Sequence, residues 1–174
     1  MRIFTVPFFQ YKINNWEEKR RQLMQVCDSV NLQKDPDNYV YTDFFSNREY
    51  DPHPAAILEE EIERFRQEMP ELQKLDISSS WFQKYTEGSH HCVHNHSQHG
   101  FSSVCYIKFN PQVHPVTTFI SPLHNPFNGD IIEYTPEVSE GTIIFFPCYM
   151  LHYVLPNLSK ESRIIYSMNF TGTV

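Results

Sequence analysis

Short β-prone runs recur along the second half of the chain, and they constrain the fold more than any other feature of the sequence. Seven such runs follow Ser78: residues Ser80–Tyr85, Ser103–Phe109, Val116–Ile120, Ile131–Tyr134, Thr142–Phe146, Met150–Leu155 and Arg163–Phe170. Turn-forming residues separate them, for example Asn110-Pro111, Asn128-Gly129-Asp130 and Pro156-Asn157. Short strands punctuated in this way are typical of a β-sandwich or barrel, and we expect such an architecture here.

The beginning of the chain predicts a strand followed by a helix. Residues 3–9 have the composition of a short strand, and Pro7 would place that strand at the edge of a sheet. A helix is expected from Trp16 to about Asp28, because apolar residues recur there at helical spacing. Asn15 is suited to cap its first turn.

A second helix is expected after Asp51-Pro52, and Pro70 ends or interrupts it. Its apolar residues share one face: Ile57, Leu58, Ile62, Phe65 and Met69. The chain has no internal repeat and no convincing linker. We therefore predict a single domain over residues 1–174, mostly β with flanking helices, in which helical support from about 1–75 packs on a β core from about 78–174.

The charge balance bears on partners and location. The formal net charge is −7, and basic residues cluster only at Lys19-Arg20-Arg21, so a nucleic-acid partner is disfavoured. No apolar run approaches the roughly 20 residues that span a bilayer, and Met1–Phe9 lacks the apolar core of a signal peptide. We expect a cytoplasmic protein without a membrane partner.

The four cysteines lack a CxxC pair and favour reduced thiols over a disulfide framework or structural zinc.

A histidine cluster is the strongest chemical signal in the sequence. Five of the nine histidines lie within ten residues: His90, His91, His94, His96 and His99. In an extended chain His94 and His96 point to the same side, so their imidazoles can converge on one metal ion. His152 is the natural third ligand, because about four strands can separate it from His96 and return it beside the pair. The alternative is a solvated, histidine-rich loop, which is the expected role of His90, His91 and His99.

The surroundings of these histidines resemble a known family. Residues Trp81–Tyr106 have the sequence WFQKYTEGSHHCVHNHSQHGFSSVCY, and residues Gly141–Phe170 have the sequence GTIIFFPCYMLHYVLPNLSKESRIIYSMNF. Both segments resemble, in order and spacing, the 2-oxoglutarate- and Fe(II)-dependent oxygenases with an HxH…H…R motif, a prolyl-hydroxylase-like group with bacterial and phage members. The resemblance implies a double-stranded β-helix, the jelly-roll fold of cupin-like proteins.

The same resemblance implies an iron site. His94, His96 and His152 would hold Fe(II) on one face and leave positions for 2-oxoglutarate and O2. Most such enzymes have a carboxylate at the place of His96, so three imidazoles leave this site one unit more positive. Asn169 is expected to bond to backbone or water, without a catalytic role.

The resemblance also implies a binding site for the far carboxylate of 2-oxoglutarate. Arg163 is the residue in the matching position, and its planar guanidinium suits a carboxylate. Related sequences often have a serine two residues later, where this chain has Ile165. A supporting hydroxyl is therefore expected from Tyr106, with Tyr85 as the second candidate.

The expected function is an Fe(II)- and 2-oxoglutarate-dependent dioxygenase that hydroxylates a peptidyl side chain or a small molecule and releases succinate and CO2. Two alternatives stay open. One is a non-catalytic, cupin-like metal-binding module, which predicts that Arg163 lies outside the pocket. The other is a phage structural or assembly protein that retains the fold, which predicts dispensable histidines and a persistent oligomer.

Overall fold

The computed structural model describes residues 5–46 and 52–173, and within them strands predominate over helices. The strands are β1 (Phe9–Lys12), β2 (Gln33–Lys34), β3 (Tyr41–Thr42), β4 (Lys74–Tyr85), β5 (His91–His94), β6 (Phe101–Lys108), β7 (Thr118–His124), β8 (Ile131–Tyr134), β9 (Thr142–Pro147), β10 (His152–Val154) and β11 (Arg163–Thr173). The helices are α1 (Trp16–Ser29), α2 (His53–Ile57) and α3 (Glu59–Gln67).

The strands form two antiparallel sheets. The larger sheet has the order β1-β9-β6-β11-β4-β3-β2, and the smaller one has the order β5-β10-β7-β8. From β4 to β11, consecutive strands therefore alternate between the sheets except for the neighbours β7 and β8, as in a double-stranded β-helix. The predicted fold, mostly β with flanking helices, is confirmed.

Strand β9 shows how the larger sheet lies between two apolar layers. All six of its residues are buried. Ile143 and Phe145 belong to the cluster formed with the helices, whereas Ile144 and Phe146 belong to the cluster formed with residues of the smaller sheet. Because strand side chains alternate in direction, a strand that is apolar throughout is suited to a sheet covered on both faces.

The helices cover the outer face of the larger sheet. Helix α1 begins and ends close to its predicted limits, and Leu23 and Cys27 are its buried residues. The predicted cap is wrong in its chemistry: Asn15 adopts a left-handed conformation at φ 52°, and its side chain makes no capping hydrogen bond. Its carbonyl oxygen accepts the first helical bond from Lys19 instead. None of the helices in the described residues is long and apolar enough to cross a lipid bilayer.

The second predicted helix is divided in two. Leu58 interrupts it with φ −103° and ψ 14° and is itself fully buried between α2 and α3. Asp51 lies outside the described residues. Phe65 is also fully buried, and its ring stacks on Phe145 at 4.5 Å between centroids. The expected apolar face therefore packs on the sheet, although the helix itself is not continuous.

The first strand lies later in the chain than the sequence indicated. Residues 5–8 are not in a strand, residues 3–4 lie outside the described part, and β1 begins at Phe9. β1 is nevertheless at the edge of the larger sheet, next to β9. The short strands β2 and β3 extend the opposite edge. The first 75 residues thus contribute three strands as well as the helices, and the single-domain organisation stays a prediction.

Candidate active site

Three histidines converge at one end of the smaller sheet. His152 on β10 is the cross-strand partner of His94 on β5. His96 follows β5 in a bend, where its backbone N–H donates to the carbonyl oxygen of Cys148 at 3.0 Å. The potential ligand atoms of the three imidazoles all lie within 4.8 Å of one another. The four strands β6 to β9 separate His96 from His152, so the structure brings together the three residues that the sequence selected.

Each of the three imidazoles donates its Nδ1 hydrogen to a neutral oxygen. His94 donates to the carbonyl of Cys92 at 2.7 Å, and His152 donates to the carbonyl of Met150 at 2.9 Å. The third donor, His96, bonds to the side chain of Asn169 at 2.6 Å. Because these partners are acceptors, the Nε2 lone pair of every ring is left for a metal ion.

Asn169 holds His96 through a small network that the sequence did not predict. Its Oδ1 accepts a second hydrogen bond from the Ser102 hydroxyl at 2.7 Å, and its Nδ2 donates to Ser79 Oγ at 3.1 Å. The expectation that Asn169 bonds only to backbone or water is therefore wrong. With the amide oxygen facing His96, the imidazole Nδ1–H is the donor of this bond.

Burial keeps the three rings neutral. It lowers the pKa of His96 to about 4, and it lowers the pKa of His94 as well. For His152, burial and the neighbouring histidines hold the pKa well below its usual value. Burial disfavours the charged form of an imidazole, so near neutral pH all three are in the form that binds metals.

Arg163 is a fully buried cation close to this cluster. Its side chain is 0% exposed, and its Nη2 donates to the hydroxyl of Thr117 at 3.2 Å. Among the described residues, its Nε and Nη1 have no hydrogen-bond partner. A buried guanidinium without an anion is costly. This position therefore favours an anionic ligand.

Two tyrosines enclose Arg163. The guanidinium carbon lies 4.4 Å from the ring centre of Tyr85 and 5.4 Å from that of Tyr106. The Tyr106 hydroxyl is buried and has no partner among the described residues. Burial raises the pKa of Tyr85, against the opposing charge of Arg163, so this hydroxyl stays protonated and can donate. Three unsatisfied donors of Arg163 and Tyr106 thus lie in the same buried region.

Two cavities adjoin the histidine cluster. The outer one measures about 320 Å³ and is lined on one side by Phe44, Phe45 and Trp81. The inner one measures about 20 Å³ and reaches Thr117 between the two sheets. His94 and His96 line both. The histidines thus lie between the outer cavity and a small inner one; Arg163 lines neither, but its partner Thr117 lines the inner one.

Sequence reasoning missed His91 and Thr117. His91, expected to be a polar loop residue, lies on β5 and lines both cavities. Thr117 supplies a hydroxyl beside Arg163 in addition to those of the two tyrosines that were predicted. Thr117 lay within the predicted strand Val116–Ile120, but nothing in the sequence indicated its contact with Arg163. His90, by contrast, contacts the exposed Tyr39 ring, away from the cluster.

The side chains present suit a metal ion together with a dicarboxylic ligand. Three neutral imidazole nitrogens are common ligands of divalent transition metals, including non-haem iron. The unsatisfied donors of Arg163 and Tyr106 can bond to the oxygen atoms of a carboxylate, and the positive charge of Arg163 complements its negative charge. The donor groups of the site therefore suit Fe(II) and 2-oxoglutarate in their chemistry, although the inner cavity of about 20 Å³ must widen to admit the latter.

Comparison with known proteins agrees with this arrangement. Solved structures with the same fold include a prolyl-4-hydroxylase from Pseudomonas putida, with 13% identity, TM-score 0.66 and coverage of 95% of this chain and 92% of that one. The viral collagen prolyl hydroxylase of Paramecium bursaria Chlorella virus-1, in complex with 2-oxoglutarate, has 14% identity, TM-score 0.64 and 96% coverage of both chains. HygX from Streptomyces hygroscopicus, with nickel, 2-oxoglutarate and hygromycin B bound, has 10% identity, TM-score 0.69 and coverage of 97% and 84%.

At the level of sequence, no curated protein matches the chain. The model of the family described as "Putative 2OG-Fe(II) oxygenase" matches residues 79–169, just over half of the chain. This segment includes the three clustered histidines, Arg163 and Asn169. The family that the sequence motifs predicted is thereby confirmed, and with it the class of enzyme and its cofactors. The chain belongs to the 2OG-Fe(II) oxygenase family.

Proposed function

We propose that this oxygenase holds Fe(II) on His94, His96 and His152, binds the far carboxylate of 2-oxoglutarate at Arg163, and hydroxylates a substrate that enters through the outer cavity. One observation carries the assignment: three neutral imidazoles line an inner cavity together with Thr117, and Thr117 binds a fully buried guanidinium that has two unpaired nitrogen atoms. A site that only stored a metal would have no use for the buried cation.

The histidines would orient the metal through their Nε2 atoms, since every Nδ1 is already bonded to an oxygen. Iron bound there supplies the oxidising chemistry, in which 2-oxoglutarate and O2 give succinate, CO2 and a hydroxylated product. Phe119 and Phe146 pack against the ring of His152, with centroids at 5.6 and 5.0 Å. These rings limit rotation of the imidazole and keep water away from it.

Arg163 would place 2-oxoglutarate by a pair of hydrogen bonds to its far carboxylate. Thr117 accepts one of the two Nη2 hydrogens, so the other Nη2 hydrogen remains for the ligand beside the unpaired Nε or Nη1. Tyr106 would donate a further bond, and Tyr85 would support the guanidinium through its ring face. The inner cavity of about 20 Å³ has room for roughly one water, so the lining side chains must move apart to admit the five-carbon ligand.

The type of side chain at position 96, a neutral imidazole and not a carboxylate, determines the net charge of the metal site. A carboxylate there would cancel one positive charge of the metal, whereas the neutral imidazole does not. The bonded Asn169 is also neutral, so no residue in this network compensates. We expect the site to bind the dianionic 2-oxoglutarate all the more firmly, because the metal keeps its full charge.

The outer cavity would receive the substrate. Phe44 and Trp81 contact edge to face with ring centres 5.0 Å apart, and Trp81 in turn lies 5.5 Å from His96. This aromatic wall leads from exposed Phe44 and Phe45 to the metal cluster. Similar folds serve both substrate types: two of the compared structures are prolyl hydroxylases, and HygX has hygromycin B bound. The substrate is accordingly proposed to be a peptide or a small molecule.

The proposed cellular location and the proposed partners follow from charge and composition. We infer a cytoplasmic enzyme, in the host cytoplasm if the chain is phage-encoded, that acts without nucleic acid or membrane as partner. The net charge of −7 supports the first of these exclusions. A homo-oligomer is compatible with the exposed apolar residues of β8, Ile131 and Ile132.

The test is an anaerobic titration of the metal-free protein with Fe(II) and then 2-oxoglutarate, followed by visible absorbance. We expect a weak charge-transfer band when the 2-oxo acid chelates the metal, and its loss in His94→Ala and His152→Ala. Metal binding with no band and no effect of 2-oxoglutarate would contradict the assignment. That result would favour the metal-binding module, which the purely histidine donor set also suits.

A further inference from the structure

A fourth imidazole lies against the histidine cluster. The ring of His91 stacks on that of His94, with centroids 4.0 Å apart and planes inclined by 17°. His91 is not one of the three residues whose nitrogen atoms converge. Its contact with the cluster is through the ring face, which packs on the neighbouring imidazole.

Two donors orient His91. Its Nδ1 lies 3.3 Å from the amide nitrogen of Gln83 and 3.3 Å from the hydroxyl of Tyr85. Gln83 and Tyr85 are two residues apart on β4, so their buried side chains face the same way. The amide nitrogen can only donate, so Nδ1 is the acceptor and the ring is held from that edge.

An irregularity in the smaller sheet makes this stacking attainable. Residues three apart on a regular strand point to opposite faces. The pairing of β10 with β5 instead shifts between His152 and Val154, so that His94 faces His152 while His91 faces Val154. Such bulges redirect side chains and are frequent next to active sites.

His94 has less support than the other two members of the cluster. His152 packs on Phe119 and Phe146, and His96 packs on Trp81. For His94, the ring contacts within the described residues are with His91 and with the other two clustered histidines. It also lies on β5, an edge strand of the smaller sheet, where fewer neighbours restrict a side chain.

We propose that His91 is a positioning residue, which holds the imidazole of His94 by ring stacking in the orientation that binds the metal. This inference rests on the proposed function, because it takes His94 as a ligand. Gln83 and Tyr85 hold His91 in turn, so the chain of contacts runs from buried β4 to the exposed edge strand. His91 contributes a flat ring and no ligand atom.

The test compares His91→Phe with His91→Ala. Phenylalanine keeps a flat ring but has no nitrogen, whereas alanine removes the ring. Affinity for Fe(II), measured anaerobically, and the visible spectrum of the Co(II)-loaded protein are recorded for each. We expect His91→Ala to weaken metal binding by about 10- to 100-fold, as for other residues that orient metal ligands, and to alter the Co(II) spectrum. His91→Phe should stay within about threefold of the unmodified protein.

Two outcomes would overturn the proposal. Unchanged affinity in His91→Ala would show that His94 needs no such support, and equal losses in both variants would point to a nitrogen atom rather than a stacked ring. Thermal unfolding of the metal-free variants separates loss of the fold from loss of the site. If His91→Ala does not fold, Gln83→Leu provides the second measurement: loosening of His91 should lower the affinity severalfold, and an unchanged value counts against the proposal.

His94→Ala distinguishes failure of this inference from failure of the proposed function. If His94→Ala binds Fe(II) as the unmodified protein does, His94 is not a ligand and the metal assignment itself fails. If His94→Ala loses the metal while His91→Ala retains it, the metal assignment stands and only the role of His91 is wrong.

Discussion

His152 on β10 lies directly opposite His94 on β5, and this pairing brings together residues that are far apart in the sequence. A shift of one residue would turn one of the two imidazoles to the other face of the sheet. β10 is held on its other side by β7, where His152 is also paired with Phe119. The register of three strands therefore sets the geometry of the proposed iron site.

Arg163 is predicted to lower the stability of the metal-free protein and to raise its affinity for 2-oxoglutarate. Arg163→Met removes a buried cation with two unpaired N–H groups, so the metal-free protein should be as stable as the unmodified one or more so. Its affinity for 2-oxoglutarate should fall at least about 30-fold, the loss expected when one partner of a buried charge pair is removed. Calorimetric titration with 2-oxoglutarate and thermal unfolding check the two effects.

The control for that prediction is an arginine on the surface. Arg66 is about 45% exposed and pairs with Glu63 on α3, so Arg66→Met should leave the affinity for 2-oxoglutarate unchanged. A large loss of stability in Arg163→Met, with unchanged binding, would mean that the guanidinium is a structural element and not the binding group.

Asn169 is predicted to orient His96. Asn169→Ala removes the acceptor of the 2.6 Å bond and should weaken Fe(II) binding by about 10- to 100-fold. Asn169→Asp keeps an acceptor at the same place and should retain most of the affinity. Anaerobic metal titration separates the two variants. Ser79→Ala, which touches only the amide nitrogen, should have a smaller effect, and equal losses in all three would contradict the assigned role.

Acid should destabilise the metal-free protein through its buried imidazoles. Burial lowers the pKa of His91 to about 3 and that of His96 to about 4, against about 6.5 in the unfolded chain. As pH falls from 6.5 towards 4, the histidines bind protons in the unfolded state but stay largely unprotonated in the folded state. The free energy of unfolding should therefore fall, by up to about 1.4 kcal/mol per pH unit for each such histidine.

Urea unfolding between pH 7 and pH 4.5 measures this dependence. In His91→Phe the free energy of unfolding should depend less steeply on pH, by the contribution of about one proton, since one imidazole is absent. Metal ions should oppose the part of the loss that comes from the three clustered histidines, because they bind the same neutral nitrogens that protons would occupy there. A slope that is identical in both proteins would show that His91 is protonated equally in the folded and unfolded states.

Gly100 is predicted to be indispensable between His96 and β6. Its φ is +88°, and a Cβ there would overlap the carbonyl oxygen of Phe170 on β11. Gly100→Ala should therefore lower the free energy of unfolding by more than the roughly 1–2 kcal/mol of left-handed backbone strain alone. Gly88→Ala is the matched control, because its φ is +83° and a Cβ would meet no atom within 4 Å. Denaturant unfolding of both variants should show the larger loss at Gly100.

The sequence by itself determined most strands of the second half and the family, and it selected the residues of the proposed site, but it did not predict β5, which carries His94. β8 was predicted at its observed limits, and β6, β9 and β11 within about three residues at either end, because apolar runs and turn residues act locally. The spacing of His94 and His96 indicated a metal site, and the resemblance of two segments to a known family implied iron, 2-oxoglutarate and the role of Arg163. These signals are short, and they depend on residue type more than on three-dimensional contacts.

Only the tertiary structure decided how these residues are supported. The roles inferred for His91, Thr117 and Asn169 depend on contacts between distant strands, at sequence separations of up to 90 residues between bonded partners. A strand register and a bulge set those contacts, and neither is encoded by local spacing. The sequence therefore supplied the ligating groups, while the packing of the two sheets determined which nitrogen each histidine presents and which donors stay unpaired.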